Sequence, residues 1–278
     1  MRVSIVVAVA ACALTVASAA ESALDIVKRS LDLQERNFDR GRDYVYQERQ
    51  TVREIDGSGK VKSTKVQTFD VLRLYGRPYM RLIEKDGKPL SAADEHKQEE
   101  NLRKEMEKRR KEKEDPNSKE RRELEKREQE FRQLVRDVQE AFTFKLTGED
   151  RISGKPSWII DAEPKPGYRP RSIRASIYPK MRGRLWIDEA EYQWVKVEAE
   201  ALDTISFGLF LFRVAKGSSF RFEQRRVNDE VWLPSHTELG LDAKLALMKR
   251  FRAGIEITYS NYRKFQTDSK VVSTEPVP

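Results

Sequence analysis

Cysteine is almost missing from this sequence. The one cysteine, Cys12, falls inside the first apolar stretch. If that stretch is removed, the chain can hold no disulfide and no thiolate metal site. Histidine is nearly as scarce, and His96 and His236 are not at the spacing of a zinc-binding helix. His96 sits in a charged stretch, where a solvated side chain is expected. His236 follows Pro234 near a strand start. No G-x-S-x-G elbow, P-loop or dinucleotide glycine pattern occurs. Carboxylates are so abundant that no pair stands out. These absences point away from an enzyme and call for no cofactor and no metal. A hydrolase built on His236 is the weakest alternative.

Long apolar runs are absent too, apart from Val3 to Val16, which is broken by Ser4 and Thr15. Met1-Arg2 precedes this run, and Ala17-Ser18-Ala19-Ala20 follows it with small residues. That pattern is a secretory signal peptide, residues 1–20, cleaved near 19–20. The run is short for a bilayer span. Val9-Ala10-Ala11-Cys12 has some likeness to a lipidation site, but the chain stays apolar beyond Cys12, so a lipid anchor is the lesser reading. The expected location is the periplasm. Net charge is +8. Export makes nucleic acid an unsuitable partner and leaves anionic lipid head groups and envelope polysaccharide as the acidic partners.

What is present is mainly β. Glu21 to Phe38 reads as a helix, with Leu24, Val27, Leu31 and Phe38 near helical spacing. Asp43 to Ile55, Val61 to Tyr75 and Tyr79 to Lys85 read as three strands joined by short turns. On the first of them Tyr44, Tyr46 and Glu48 share a face. Ser91 to Glu140 then changes character to Glu, Lys, Arg and Gln, with a break at Asp115-Pro116. This predicts a hairpin of two charged helices with largely solvated faces, whose second half can dock through Phe131, Leu134, Val135 and Val138.

Strand character resumes at Ala141. The segment 163–170 holds three prolines and a glycine and is irregular. Arg171 to Met181 suits a short helical turn. The central hairpin follows: Arg184-Leu185-Trp186-Ile187-Asp188, a turn, and 193–200. Leu185 and Ile187 share one face, Trp186 takes the other, and Val195, Val197 and Ala199 alternate with charged residues. Ile205 to Ala215 reads as one apolar strand covered on both faces. A strand at 220–227 turns at 228–230 into Val231-Trp232-Leu233-Pro234, strands at 237–249 and 251–265 complete the sheet, and 266–278 is a polar tail.

Two features bear on function. Aromatic side chains crowd the predicted strands, and a curved antiparallel sheet with a helix over its mouth encloses a cavity suited to acyl chains. Each buried methylene contributes about 0.8 kcal/mol. Between Glu163 and Asp188 there is also no acidic residue, while Arg169, Arg171, Arg174 and Arg182 are among seven basic ones. They form a candidate basic rim for lipid phosphates.

The signal peptide, the leading helix and the Tyr44-Val45-Tyr46-Gln47-Glu48 strand together resemble a known family. Gly183-Arg184-Leu185-Trp186-Ile187-Asp188 with its Val195-Lys196-Val197-Glu198 return, and the closing Tyr259-Ser260-Asn261-Tyr262-Arg263-Lys264-Phe265, add to the likeness. The family is the outer-membrane lipoprotein-sorting proteins related to LolA and LolB, with the lipid-sensing regulators of the RseB type. The resemblance covers most of 21–265 except the insertion at 91–140. It implies an α+β fold, a strongly curved antiparallel half-barrel of about eleven strands under a helical lid. It also implies acyl chains of lipoproteins or phospholipids as cargo, and inner- or outer-membrane envelope proteins as partners. Phe144, Trp158, Trp186, Phe210, Phe222, Trp232 and Ile257 are the expected lipid-binding wall. The alternative is an envelope sensor or interaction module of the same fold that uses the helical insertion.

Overall fold

The computed structural model describes residues 21–115, 119–207, 212–245 and 250–265. The readings made on 1–20, on Phe210 and on 266–278 lie outside the described residues. The chain begins with helix α1 (Ala23–Gly41), then β1 (Tyr44–Ile55), β2 (Val61–Leu74), β3 (Arg77–Lys85) and β4 (Lys88–Pro89). Helices α2 (Ala92–Glu114) and α3 (Lys119–Ala141) come next, followed by β5 (Phe142–Ile152) and β6 (Lys155–Pro164). A short 3-10 helix (Arg174–Lys180) leads into β7 (Met181–Asp188) and β8 (Trp194–Ala201). The chain continues through β9 (Ile205–Phe207), β10 (Phe212–Val214), β11 (Ser219–Val227), β12 (Val231–Leu245) and β13 (Arg250–Lys264).

All strands belong to one antiparallel sheet of 13 strands, in the order β4-β3-β2-β1-β13-β12-β11-β8-β7-β6-β5. It is an open sheet with β4 and β5 at its edges. The expected eleven strands become thirteen for two reasons. β4 adds a two-residue edge. The single strand read at 205–215 is a pair, with β9 against β10 and β10 against the far end of β12. An apolar run cannot reveal where it folds back.

Local chemistry explains the elements. Ser22 caps α1, its Oγ accepting from the Asp25 N–H at 3.2 Å, with Asp25 in the first turn where the helix dipole favours it. Tyr75-Gly76 joins β2 to β3 with both φ angles positive, 51° and 79°. That is the two-residue turn whose twist matches a hairpin, and it starts one residue earlier than the Gly76-Arg77-Pro78 turn expected. Asp188 closes the central hairpin, its Oδ1 accepting from the N–H groups of Ala190 (3.0 Å) and Glu191 (2.7 Å).

The main core lies between α1 and one end of the sheet. Ile26, Val27 and Leu31 pack on Ile160, Leu185 and Ile187, with Phe144, Trp158, Trp194 and Val197 around them. Burying one such aliphatic side chain stabilises by about 1.5–3 kcal/mol. Below, the face that carries α1 is called inner and the opposite face outer.

The charged insertion keeps largely exposed faces, and α3 docks through its second half as expected, but α2 is anchored as well. Helix α2 lies along β3. Arg109 is buried and donates to the carbonyls of Leu74 (3.3 Å), Arg77 (3.0 Å) and Pro78 (3.2 Å), while Arg77 pairs with Glu112. Helix α3 lies on α1: Arg132 reaches Asp39 (2.8 Å), Arg136 reaches Glu35 (2.9 Å), and Phe131 meets Phe38. Its end seals a further cluster of Ala141, Ala175 and Tyr178 with Leu134 and Val138. The insertion therefore bridges the two edges of the sheet.

Candidate functional site

The register lines up the inner face strand by strand. One row runs Ala199–Phe220–Leu239–Ile255–Val52 across β8, β11, β12, β13 and β1. The next runs Leu185–Val197–Phe222–Thr237–Ile257–Gln50. Each residue sits directly opposite its neighbour, so side chains touch across the strands. The second row begins in the α1 core at Leu185 and Val197 and runs out from it. Beyond Val197, the apolar members Phe220, Phe222, Leu239, Ile255, Ile257 and Val52 join none of the buried clusters and stay only half-buried. The Phe220 and Phe222 rings stack in parallel, with centroids 6.2 Å apart. The result is an apolar strip that leaves the core and remains reachable from solvent.

The far end of the strip is polar. Glu48, two residues before Gln50, faces Tyr259 on β13 and Phe69 on β2. Gln50 Nε2 donates to Glu48 Oε1 at 2.6 Å. Thr237 Oγ1 and the Tyr259 hydroxyl lie 3.3 Å apart. Tyr46 packs on Tyr259 and Tyr262, with centroids 5.9 and 5.2 Å away. Burial pushes the Tyr46 phenol up to about 12, and the Glu48 charge adds to the effect. Tyr259 and Tyr262 are raised by burial as well. An apolar strip ending in hydroxyls, an amide and a carboxylate has the polarity of an amphiphile.

The expected wall residues do not all meet here. Phe222 and Ile257 lie in the strip. Phe144 and Trp158 are on the inner face but pack against the α1 cluster. Trp186 faces outward, buried under Lys196, whose Nζ is 4.2 Å from the ring centre. Its alternation with Leu185 and Ile187 requires this, because the core takes those two. Trp232 is buried under a polar cap. Its indole N–H donates to Glu191 Oε2 at 3.0 Å, and Lys155 Nζ sits 4.8 Å from its ring.

The four arginines do not form a continuous rim. Arg171 holds Glu140 at 2.6 Å, Arg174 holds Glu130 at 3.4 Å, and Arg182 lies on β7 with Glu200 at 2.8 Å. Arg169 and Arg171 line one open cleft of about 920 Å³ together with Lys28, Lys165, Tyr168 and Glu140, while Arg174 and Arg182 lie outside it. Burial raises the Tyr168 phenol, and its hydroxyl has no hydrogen-bond partner among the described residues.

The outer face carries a charge ladder. Asp161, Arg184, Glu198, Arg221, Glu238 and Glu256 stand opposite one another on successive strands. Arg184 meets Asp161 at 2.5 Å, and Arg221 meets Glu198 at 3.1 Å and Glu238 at 3.5 Å. The like pair Glu238–Glu256 is held by His236, 3.7 and 3.5 Å from the two, and by Arg53, 2.8 Å from Glu256. These three acid and imidazole groups are close enough for a cation, yet the arginines already hold both carboxylates. His236 thus serves as a bridge in the ladder.

Composition could not find Glu48, Thr237 and Tyr259, because each is common and none sits in a motif. The signal that did exist was parity, which put Glu48 on the face of Tyr44 and Tyr46.

No family model matches the sequence, and no curated protein matches it. Among solved structures, the chain is similar to a domain described as an outer membrane lipoprotein-sorting protein, from Vibrio parahaemolyticus. The identity is 10%, the TM-score 0.31, and the match covers 88% of this chain and 95% of that one. It is also similar to a LolA superfamily protein from Nitrosomonas europaea, at 8% identity and TM-score 0.30, over 89% of this chain and 94% of that one. A third likeness is to a chain of the Pseudomonas aeruginosa MucA/MucB complex, at 9% identity and TM-score 0.22, over 88% and 99%. Likenesses this distant leave the function to the chain's own residues.

Proposed function

We propose that this chain is a non-catalytic lipid-binding protein of the cell envelope, which lays the acyl chains of a phospholipid or lipoprotein along its inner face. The observation that carries the reading is the half-buried strip of Phe220, Phe222, Leu239, Ile255, Ile257 and Val52, continuous with the core and polar at its far end. An acyl chain gains from such a strip what a core side chain gains, about 0.8 kcal/mol per methylene removed from water. The periplasm is the location that suits the N-terminal pattern. No helix among the described residues is long and apolar enough to cross a membrane.

The test is native mass spectrometry on protein purified without detergent, beside the double variant Phe220→Ser/Phe222→Ser. The expected result is bound lipid on the parent and at least roughly tenfold weaker uptake by the variant, at unchanged circular dichroism. Equal uptake by a folded double variant removes the strip as the site.

A second reading, a protein-interaction module, has one observation of its own. Tyr75, Leu102 and Met106 line an open cleft of about 410 Å³ between α2 and the β2–β3 turn. In that case Met106→Glu abolishes partner capture and leaves lipid uptake unchanged.

A further inference from the structure

Three acidic side chains are buried in the described protein: Glu48, Asp137 and Asp188. Two of them have backbone donors or a cation within reach. Asp188 accepts from two backbone N–H groups of its turn. Asp137 Oδ1 accepts from Gln133 at 2.8 Å and lies 3.7 Å from the Arg171 guanidinium, while its Oδ2 is sealed from solvent without a hydrogen-bond partner among the described residues. Glu48 differs. It is 9% exposed, yet no Lys, Arg or His stands in ion-pair range of it among the described residues. Its one hydrogen bond comes from the neutral Gln50 amide, to Oε1. Among the described residues Oε2 has no hydrogen-bond partner, and it keeps contact with solvent.

A buried carboxylate is costly unless a cation or a set of donors meets it. Its placement identifies what it is for. Glu48 sits at the polar end of the apolar strip, one step along β1 from the Ile257–Gln50 pair. Tyr46, two residues before it on β1, and Tyr259, opposite it on β13, are its neighbours, and aromatic rings attract cations. Thr237 and Tyr259 supply hydroxyl groups nearby.

We infer that Glu48 receives the ammonium group of an amine-headed lipid whose acyl chain lies along Phe222 and Ile257. The inference rests on the lipid-binding reading above and adds the head group to it. A zwitterionic ethanolamine head places its ammonium on the free Oε2 and leaves its phosphate to the hydroxyl groups. A glycerol head has no cation to offer and brings its negative phosphate close to an uncompensated carboxylate.

The experiment compares two single-chain lipids of equal acyl length, lysophosphatidylethanolamine and lysophosphatidylglycerol, by native mass spectrometry and titration calorimetry on the full chain. The parent is expected to prefer the ethanolamine head at least tenfold. Glu48→Gln is expected to bring the two affinities within about twofold, chiefly by weakening the ethanolamine lipid. A control that needs no variant is N-acetylated lysophosphatidylethanolamine, which has lost the charge and should bind the parent like the glycerol lipid. Equal affinities for both heads in the parent, or N-acetylation without effect, overturn the inference and leave lipid binding standing. Failure to bind either lipid overturns the lipid-binding reading itself, and the inference falls with it.

Discussion

Asn37 on α1 completes the hydrogen bonding of Trp232, the second residue of β12. Its Nδ2 donates to the Trp232 carbonyl at 2.6 Å, and its Oδ1 accepts from the Trp232 N–H at 2.7 Å. The partner strand β13 joins β12 only from His236 onward. At Trp232 the ladder would be open, and a side-chain amide from the helix fills it. Asn37→Ala leaves two buried backbone groups unmet, so a loss of about 2–4 kcal/mol is expected in urea unfolding. Asn37→Asp should cost as much or more, since it removes the donor and sets a charge against a carbonyl. A change under about 0.5 kcal/mol for Asn37→Ala would mean that the pairing is idle.

Arg109 predicts a local rather than a global effect. Its guanidinium meets three main-chain carbonyls around the β2–β3 turn and Glu105 of its own helix (2.6 Å). Arg109→Met keeps the apolar stem and deletes every donor. Hydrogen exchange in α2 should then speed up by about ten- to a hundredfold, while exchange in β6 and β7 should not change. Uniform acceleration across the sheet would show that α2 is part of the global unit.

The Tyr44–Glu230 hydrogen bond should mark both ends of the pH profile. Burial, followed by the bond to Glu230, pushes the Tyr44 phenol up to about 12. A raised value means that the native state holds the proton more tightly. This contribution is complete below pH 10, the ordinary phenol value, and is lost as pH rises toward 12. Glu230 is held below the usual carboxylate range by hydrogen bonds from Lys264 and then Tyr44. Its contribution is present above the ordinary carboxylate value and is lost as pH falls through the depressed one. Melting temperature is therefore expected to fall on both flanks. Tyr44→Phe should soften the alkaline limb in part, since Tyr46 titrates there too. Glu230→Gln should soften the acid limb. If both variants keep the parent's profile, the bond is not a determinant of it.

Much of the fold was legible because period-two alternation is local. Leu185, Trp186 and Ile187 declare opposite faces by themselves. Which of those faces is inner depends on α1, and only the packing of Ile26, Val27 and Leu31 on Leu185 and Ile187 decides it. Trp186 falls on the outer face by that rule, because the core claims its neighbours Leu185 and Ile187. The strip itself depends on register across six strands, and no single segment encodes it. Arg109 illustrates another limit. A guanidinium that docks on carbonyls reads as solvated in any hydropathy scale, so composition marks the exposed faces of α2 and not its one buried anchor, Arg109.

The insertion gives the last prediction. Leu134 and Val138 of α3 cover Ala141, Ala175 and Tyr178, and the Tyr178 hydroxyl donates to the Leu134 carbonyl at 2.7 Å. Removing residues 91–140 to test the arm would therefore strip a core. The expected outcome is a loss of several kcal/mol and strong binding of a hydrophobic dye, whatever the insertion does in the cell. A cleaner test replaces the contacts between helices. Arg132→Glu and Arg136→Glu set like charges against Asp39 and Glu35. These pairs are largely exposed, so each single change should cost only about 0.5–1 kcal/mol and should matter less in high salt. The double variant should loosen α3 and leave β6 and β7 protected in hydrogen exchange. If lipid uptake rises in that variant, the insertion restricts entry to the inner face. If uptake stays constant, the insertion serves only to join the two edges of the sheet.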